Sequence, residues 1–594
     1  MSNKIGRIYS YYQSYGIKRT VGKAVGKILK TDQRKYSRWS QENFPTKEEL
    51  LRQSQERFAF EPKISIVVPL YMTPIVYLDE LVESILNQTY KNWELCLSDG
   101  SGDNSPLIEQ LKQYSIKEKR IKYIDNDKKL KISENTNCAL SIATGDYIAF
   151  VDHDDLLLPN ALYECVSYFN KFSNVQVIYT DEDKISMDGK KVFQPHFKPD
   201  FNRDLLNSTN YISHLFVVRR DVVEKVGNLN SEFDGAQDYD FILRCSENVE
   251  NICHIPKVLY HWRSHMNSTA EKPESKLYAF DAGKRALEAH YRRIGLKNVR
   301  VGMTKQLGVY RTKYLVNSFR PLVSVIIPNK DHVEDLKQCV ESILNNDYNN
   351  VEIIVVENNS IDVRTFSFYK DLEKEYANIR VLIWKRSFNY SKINNFAAEK
   401  AKGDYILFLN NDTKMIRKDC IEELIGPFSR KDIGIVGARL FYPDSSIQHA
   451  GVIVGMGGVA GHIFQNTPRH EVGYFSRIIS QQDYSAITGA CLMIEKELFF
   501  QVGGFDEKLA IAFNDIDLCL KVRRRDKLVF YNPYAELFHF ESKSRGKDTV
   551  KEKAARLESE SCYFRKKWKQ YYVFGDPYYN KNLSLDRFDC EINI

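Results

Sequence analysis

The chain has 594 residues, of which 43% are hydrophobic and 27% charged, with a formal net charge of +7. That length exceeds one ordinary core and predicts two domains plus tails, and the composition excludes a disordered chain. Residues 1–30 hold Lys4, Arg7, Lys18, Arg19, Lys23, Lys27 and Lys30 and no acid, so this segment alone equals the net charge and the near-neutral remainder argues against a nucleic-acid partner.

In chain order, Val21, Val25, Ile28 and Leu29 repeat at helical spacing with the lysines mostly on other faces. Such a basic amphipathic helix either lies on an anionic membrane or packs as a solvated helix on a domain. No run reaches the ~18 apolar residues of a membrane span, and the start lacks a secretory core. The expected location is therefore cytoplasmic, peripheral at the inner face of the cell membrane. Eleven cysteines without a CxxC pair read as buried thiols in a reducing compartment rather than as disulfides or zinc ligands.

Ile64–Pro69 is a β-branched run ending in proline and predicts a buried strand, followed by a helix over Leu78–Asn87 and a strand over Trp93–Ser98. Next come a turn-rich DGSGD stretch, a helix at Ile108–Lys119, a strand at Ile121–Ile124, a helix at Ser133–Ala143 ended by Gly145, and a strand at Tyr147–Val151. The order then repeats: Ser324–Pro328, Val351–Val356 and Tyr405–Leu409 as strands, Val333–Leu344 and Ser391–Ala401 as helices. Strands alternating with helices predict an α/β fold with a mostly parallel sheet, twice over. The expected division is a basic helical region at 1–60, a first domain at 61–300, a connection at 301–321, a second domain at 322–546, and a helix with an aromatic tail at 547–594. A helix is expected at Lys276–Ile294, extended chain at Gly308–Val316, and a basic helix at Lys551–Lys569.

Each copy carries acids past its strand ends. YIAFVDHDD brings Asp152, Asp154 and Asp155; YILFLNNDT brings Asn410 and Asp412. AQDYDFILR and FNDIDLCLK bring Asp238 and Asp515, and LYHWR and LFHFE bring His261 and His539. In open parallel sheets, ligands bind at the carboxyl ends of strands, so Asp99, Asp152 and Asp154, and likewise Asn358 and Asp412, converge on one crevice per domain. Two acids one residue apart at such an end can hold a divalent cation through oxygen. Taken alone an Asp pair is more often a turn or cap; its recurrence after a buried strand, with a second acid and a histidine following, supports a metal–diphosphate site. Asp238 and Asp515 each open a helical segment, where an Asp is either a cap or a general base. His261 and His539 are expected as third metal ligands.

The runs VVPLY…LSDGSGD…GDYIAFVDHDD…AQDYDFILR…YHWR and IIPNKD…VVENNS…GDYILFLNNDT…FNDIDLCLK…FHFESKSRG each resemble family 2 glycosyltransferases of GT-A fold. The tandem arrangement resembles bacterial two-domain enzymes of rhamnan or O-antigen synthesis, and the tail motif DPYYN (Asp576–Asn580) fits them. The resemblance implies a metal-dependent, inverting transfer of sugar from a nucleotide-sugar donor, dTDP-rhamnose or a UDP-sugar, to a lipid-linked saccharide. It implies Mn²⁺ or Mg²⁺ on Asp152, Asp154, His261, Asp412 and His539, and bases at Asp238 and Asp515. Nucleotide-sugar contacts fall to Pro69, Tyr71, Asp99, Asp152, Pro328, Glu357, Asn358 and Asn410. Asn358 stands in for Asp99 and Asn410 for the first acid of the pair, which weakens metal binding in principle. Two rivals stand beside this reading. One is a chain in which one or both domains bind or scaffold without catalysis, against which intact Asp238 and Asp515 argue. The other is a nucleotidyltransferase, which would show a glycine- and basic-rich loop after the first strand.

Overall fold

The computed structural model describes residues 33–103, 105–264, 277–316, 320–540 and 550–594. The basic segment 1–30, with its predicted amphipathic helix, lies outside them. Among the described residues no helix is long and apolar enough to cross a membrane.

The first sheet contains β1 (Ile64–Leu70), β2 (Trp93–Asp99), β3 (Ile121–Asp125), β4 (Tyr147–Phe150), β5 (Leu156–Leu157), β6 (Val177–Ile185), β7 (Val192–His196), β8 (Phe216–Arg219) and β9 (Ile252–Arg263). Their order is β3-β2-β1-β4-β8-β6-β9-β5, with β7 beside β6. The first four run parallel, as the strand–helix alternation predicts. Beyond β4 the sheet is mixed: β8 is antiparallel to both β4 and β6, and β9 returns parallel to β6. The change follows where the strand–helix alternation stops, and there the short β6–β7 connection joins a further antiparallel pair.

A hairpin of β10 (Val299–Met303) and β11 (Tyr310–Tyr314) leads to the second sheet. That sheet and its satellites comprise β12 (Val323–Asn329), β13 (Val351–Glu357), β14 (Ile379–Ile383), β15 (Tyr405–Leu409), β16 (Thr413–Met415), β17 (Ile433–Phe441), β18 (Ile447–His449), β19 (Val452–Val454), β20 (Ala460–His462), β21 (Gln482–Asp483), β22 (Cys491–Glu495) and β23 (Leu528–His539). The main order, β14-β13-β12-β15-β22-β17-β23-β16, reproduces the first sheet strand for strand.

The copies share more than strand order. Glu94, buried beneath the first sheet, accepts from Ser65 Oγ at 2.7 Å, and Ser65 Oγ accepts from the Gly145 N–H at 2.8 Å. Glu352, Ser324 and Gly403 repeat the arrangement at 2.5 and 2.8 Å. Burial opposes ionisation of Glu94, yet hydrogen bonds from Lys122 and Lys63 hold its carboxyl below the ordinary range. Neither glycine has room for a side chain: a Cβ at Gly145 would lie 2.6 Å from the Lys63 carbonyl oxygen, and one at Gly403 2.5 Å from that of Leu322. These turns set the start of β4 and β15, whose far ends carry the acids.

Four helices matter to the sites: α1 (Gln237–Asn248), α2 (Leu277–Arg293), α3 (Asn514–Arg523) and α4 (Val550–Lys567). The second acids of the paired motifs fix them. Asp240 on α1 receives Arg293 of α2 at 3.4 Å, and Asp517 on α3 receives Lys567 at the end of α4 at 2.7 Å. A helix after each domain thus clasps that domain's acid-bearing helix.

The domains meet through a common core in which Tyr36, Trp39, Phe197 and Val258 pack with Phe441, Ile453, Tyr484 and Tyr531, and with Tyr578 and Tyr579 of the tail. Its polar border is ordered. Arg430 pairs with buried Asp204, and Asn202 and Asp483 exchange hydrogen bonds at 2.9 and 3.0 Å. The DPYYN motif binds both sides. Asp576 accepts from Val454 N–H and Ser485 Oγ in the second domain, while Asn580 donates to both Asp181 oxygens, at 3.0 and 2.9 Å, in the first.

Candidate active sites

In the first domain Pro69, one residue before the end of the central strand, lines a cleft with Asp152, His214, Asp238 and Phe241. Asp238 stands in the first turn of α1, where helix N–H groups favour negative charge. Asn210 donates to its Oδ2 at 2.9 Å. Burial pushes Asp238 above the ordinary carboxyl range, opposed by His214 and assisted by Asp152.

Asp152 is the exposed acid of this group, and His214 Nε2 lies 3.7 Å from it. Asp155, Asp152 and His214 each bring a ligand atom within 4.8 Å of the others. Two carboxylates and an imidazole suit a divalent cation by donor chemistry. Asp155 is fully buried, accepting from Tyr260 Oη at 2.5 Å and from Arg263 N–H at 2.7 Å. Burial, then Asp154 and Asp152, push it well above the ordinary range. The carbonyl oxygen of Asp154 accepts from Arg263 Nε at 2.6 Å.

The strand pleat separates Tyr260 from His261, since neighbours on a strand point to opposite faces. Tyr260 stacks on His214, with ring centroids 4.6 Å apart, and its hydroxyl accepts from the Asp152 N–H at 3.2 Å. His261 points the other way, its Nδ1 2.5 Å from Asp183, which also accepts from Tyr36. Burial pushes Asp183 up against the pull of His261.

Asp99 sits at the end of β2 opposite Leu70, buried, and accepts from Ser101 N–H at 3.0 Å and from Ser105. Ser101 Oγ in turn accepts from Met72 N–H at 2.9 Å, tying this acid to the loop that carries exposed Tyr71.

In the second domain, Glu357 stands opposite Asn329 just as Asp99 stands opposite Leu70. The register therefore corrects the expected equivalence: Glu357, not Asn358, takes the place of Asp99. Glu357 accepts from Ser360 N–H and Oγ, each at 2.6 Å, and from Tyr369 Oη at 2.7 Å. Asn358 donates to the carbonyls of Trp384 and Arg386 instead. Pro328 lies one residue before the end of β12, beside Val356.

Here the strand histidine does reach the acids. His539 Nε2 lies 3.1 Å from Asp412 Oδ1 and 3.2 Å from the Asn410 amide, and its Nδ1 lies 2.6 Å from Gln448 Oε1. With Nδ1–H donating to Gln448, the Nε2 atom is turned toward the Asp412 carboxylate, the arrangement of a ring nitrogen and an oxygen facing a shared cation. Beside it, burial and then the charges of His462 and His539 hold buried His449 neutral. Asp515 opens α3; its Oδ2 accepts from the Gly489 N–H at 2.7 Å, and Tyr390 Oη donates to the Gly489 carbonyl at 3.1 Å.

Two residues escape sequence reasoning, His214 and the placement of Asp155. By strand pairing Leu156 faces His261 while Thr413 faces His539, so, counted from the equivalent Tyr147 and Tyr405, the first copy is one residue longer up to this point. Asp155, rather than Asp154, then directly precedes the strand, as Asp412 does. The extra acid of DHDD is the signal that could have found it.

Each sheet thus pairs a parallel Rossmann-like half with a mixed half and carries its acids at the junction, the GT-A arrangement, present twice. The family described as "Glycosyl transferase family 2" matches residues 65–227 and again 324–479, and the chain belongs to that family. The uncharacterized protein y4gI of Sinorhizobium fredii is 44% identical over 89% of this chain and 58% of its own length. The O-antigen biosynthesis protein RfbC of Myxococcus xanthus is 33% identical over 93% of this chain and 43% of its own. The chain spans about half the length of these curated relatives. Among solved structures, GalNAc-T7 with UDP, GalNAc and Mn²⁺ aligns over 42% of this chain and 52% of its own, with 16% identity and a TM-score of 0.34.

Proposed function

We propose that both domains are catalytic, each moving a sugar with inversion from a nucleoside-diphosphate donor, dTDP-rhamnose or a UDP-sugar, to a lipid-linked saccharide in the assembly of a bacterial surface polysaccharide. The observation that carries this reading is the recurrence of the site: an acid in the first turn of a helix, held by a neutral donor, beside a second acid–imidazole group at the strand ends. The name of the RfbC relative supports the polysaccharide context.

Asp238 and Asp515 are the bases. Each must take the proton of an acceptor hydroxyl as the oxygen attacks the anomeric carbon from the face opposite the diphosphate. Burial raises the basicity of Asp238, and Asn210 turns one oxygen inward. The Gly489 N–H fixes Asp515 in the same sense. Mn²⁺ or Mg²⁺ would be held by Asp152, Asp155 and His214 in the first domain and by Asp412 and His539 in the second; bound, it supplies positive charge to the departing diphosphate. Asp99 and Glu357 shape the loops against which the nucleotide base and ribose lie. Holding donor and acceptor in one cleft lowers the barrier, by on the order of 7–11 kcal/mol in favourable cases.

The second reading, one catalytic domain beside a binding domain, rests on Asn410, which supplies a neutral oxygen where the first domain has Asp152. Asp238→Asn and Asp515→Asn decide between them. Each is expected to stop one transfer, with a rate loss of about 10²–10⁴-fold, while donor binding persists. Two different stalled intermediates, resolved by linkage analysis, support two activities; full polymer from either variant removes that residue from the catalytic set.

A further inference from the structure

We infer that Glu560, on the helix that follows the second domain, is the positioning residue for Asp515, and that the second transfer depends on it while the first does not. The inference rests on the proposed role of Asp515 as base.

Asp515 is preceded by the segment Leu509–Phe513, which lies outside any strand or helix. Its carbonyls are held from one side: Ala510 O accepts from Tyr390 N–H at 2.8 Å, and Leu509 O from Ser391 Oγ at 2.5 Å. Its N–H groups are held from the other by a single side chain. Glu560 Oε1 accepts from Ala510 N–H at 2.9 Å and Ile511 N–H at 3.2 Å, and Oε2 from Ala512 N–H at 2.8 Å. Three consecutive amides converging on one carboxylate make a small anion nest, here filled from within the chain by charge-assisted bonds. Glu560 as a whole is 5% exposed, so water offers little replacement.

The next residue, Phe513, has φ of 62°, in the left-handed region, and turns the chain into α3 with Asp515 in its first turn. Its ring packs on Phe564, with centroids 5.4 Å apart, one turn beyond Glu560. Lys567, the last residue of α4, and Trp568 just after it bind Asp517 at 2.7 and 2.8 Å. Glu560 therefore fixes the approach and Trp568 the helix, and Asp515 lies between the two fixed points. In the first domain the corresponding stretch is tied otherwise: Ser133 Oγ donates to Asp234 at 2.5 Å, and the Gly235 N–H donates to Gln237 Oε1 at 2.9 Å.

The test uses the full chain carrying Asp238→Asn, so that only the second site turns over, with Glu560→Ala, Glu560→Gln and Asp515→Asn added singly. Amide hydrogen exchange needs no donor: Glu560→Ala is expected to speed exchange at residues 510–512 without a global change. With Mn²⁺ and the nucleotide sugar turned over fastest from a panel of dTDP- and UDP-sugars, kcat is expected to fall roughly 10- to 100-fold at unchanged donor KM. Glu560→Gln, which keeps one accepting oxygen, is expected to recover part of that loss. In the chain with Asp238 intact, neither variant is expected to slow the first transfer. Unchanged exchange at 510–512, or faster exchange with unchanged kcat, overturns the inference; so does equal loss at both sites. If Asp515→Asn is silent, the base assignment itself fails, and that failure is distinct from one in which Asp515→Asn is inactive and Glu560→Ala is not.

Discussion

Asp483→Asn is expected to remove a pH-dependent penalty at the seam between the domains. The Asp483 carboxyl is buried, and its Oδ2 accepts from Asp204 N–H at 3.3 Å. Burial, then the neighbouring Asp204 carboxylate, push it well above the ordinary range, with Arg430 pulling the other way. In the unfolded chain an aspartate ionises near pH ~3.9. A raised folded value means that the stabilisation from the bound proton is fully present below about pH 4 and is lost as pH rises through the folded value. Across that window the folded state holds one more proton, so the unfolding free energy falls by about 1.4 kcal/mol per pH unit. Asparagine keeps an oxygen for the Asp204 N–H, brings an amide to the Asp204 carboxylate, and does not titrate. The variant should match the parent near pH 4 and exceed it by about 1.4 kcal/mol for each unit of the window crossed. Urea unfolding followed by tryptophan fluorescence from pH 4 to 9, in parallel for both proteins, measures the difference. Parallel pH–stability curves would refute the assignment of the bound proton to Asp483.

Chelator should abolish both transfers and Mn²⁺ or Mg²⁺ restore them, and Asp155→Ala should weaken Mn²⁺ binding by calorimetry more than Asp154→Ala; the reverse order would return the ligand role to Asp154. Gly145→Ala and Gly403→Ala each force a Cβ against a carbonyl oxygen and should cost about 1–3 kcal/mol of stability in thermal unfolding; a neutral result at either would show that its turn can open. Deleting residues 1–30 removes seven cations, each worth roughly 1 kcal/mol at an anionic leaflet, and should release the protein in vesicle flotation; unchanged flotation places the membrane contact elsewhere.

The parallel halves were legible because β-branched runs such as Ile64–Pro69 and Tyr405–Leu409 are buried on both faces and carry their own signal. The acids past those strands followed from the same rule. What escaped depends on register or on distance. The motif order alone points to Asn358 as the second-copy counterpart of Asp99, whereas strand pairing selects Glu357. His261 and His539 share a motif, yet a one-residue difference in the stretch that leads to the facing strand changes what surrounds each ring. His214 lies in the bend just before the antiparallel strand β8, which no alternation announced. Glu560 touches a loop 48 to 50 positions earlier, and nothing local to that helix marks it.

The grip of Asn580 on Asp181 spans 399 positions of sequence. During synthesis the first sheet is complete long before that asparagine leaves the ribosome. At 5–20 residues per second the interval is on the order of 15–65 s. Throughout it, Asp181 and His254 must wait with their seat open to solvent, and the first domain exists only as an unfinished version of itself. Order of manufacture and order of assembly therefore run in opposite senses: the earliest domain to fold is among the last to be closed. A nascent chain stalled after the second sheet would hold both sets of acids and the Asn202–Asp483 and Arg430–Asp204 contacts, yet would lack the tail's link between its halves.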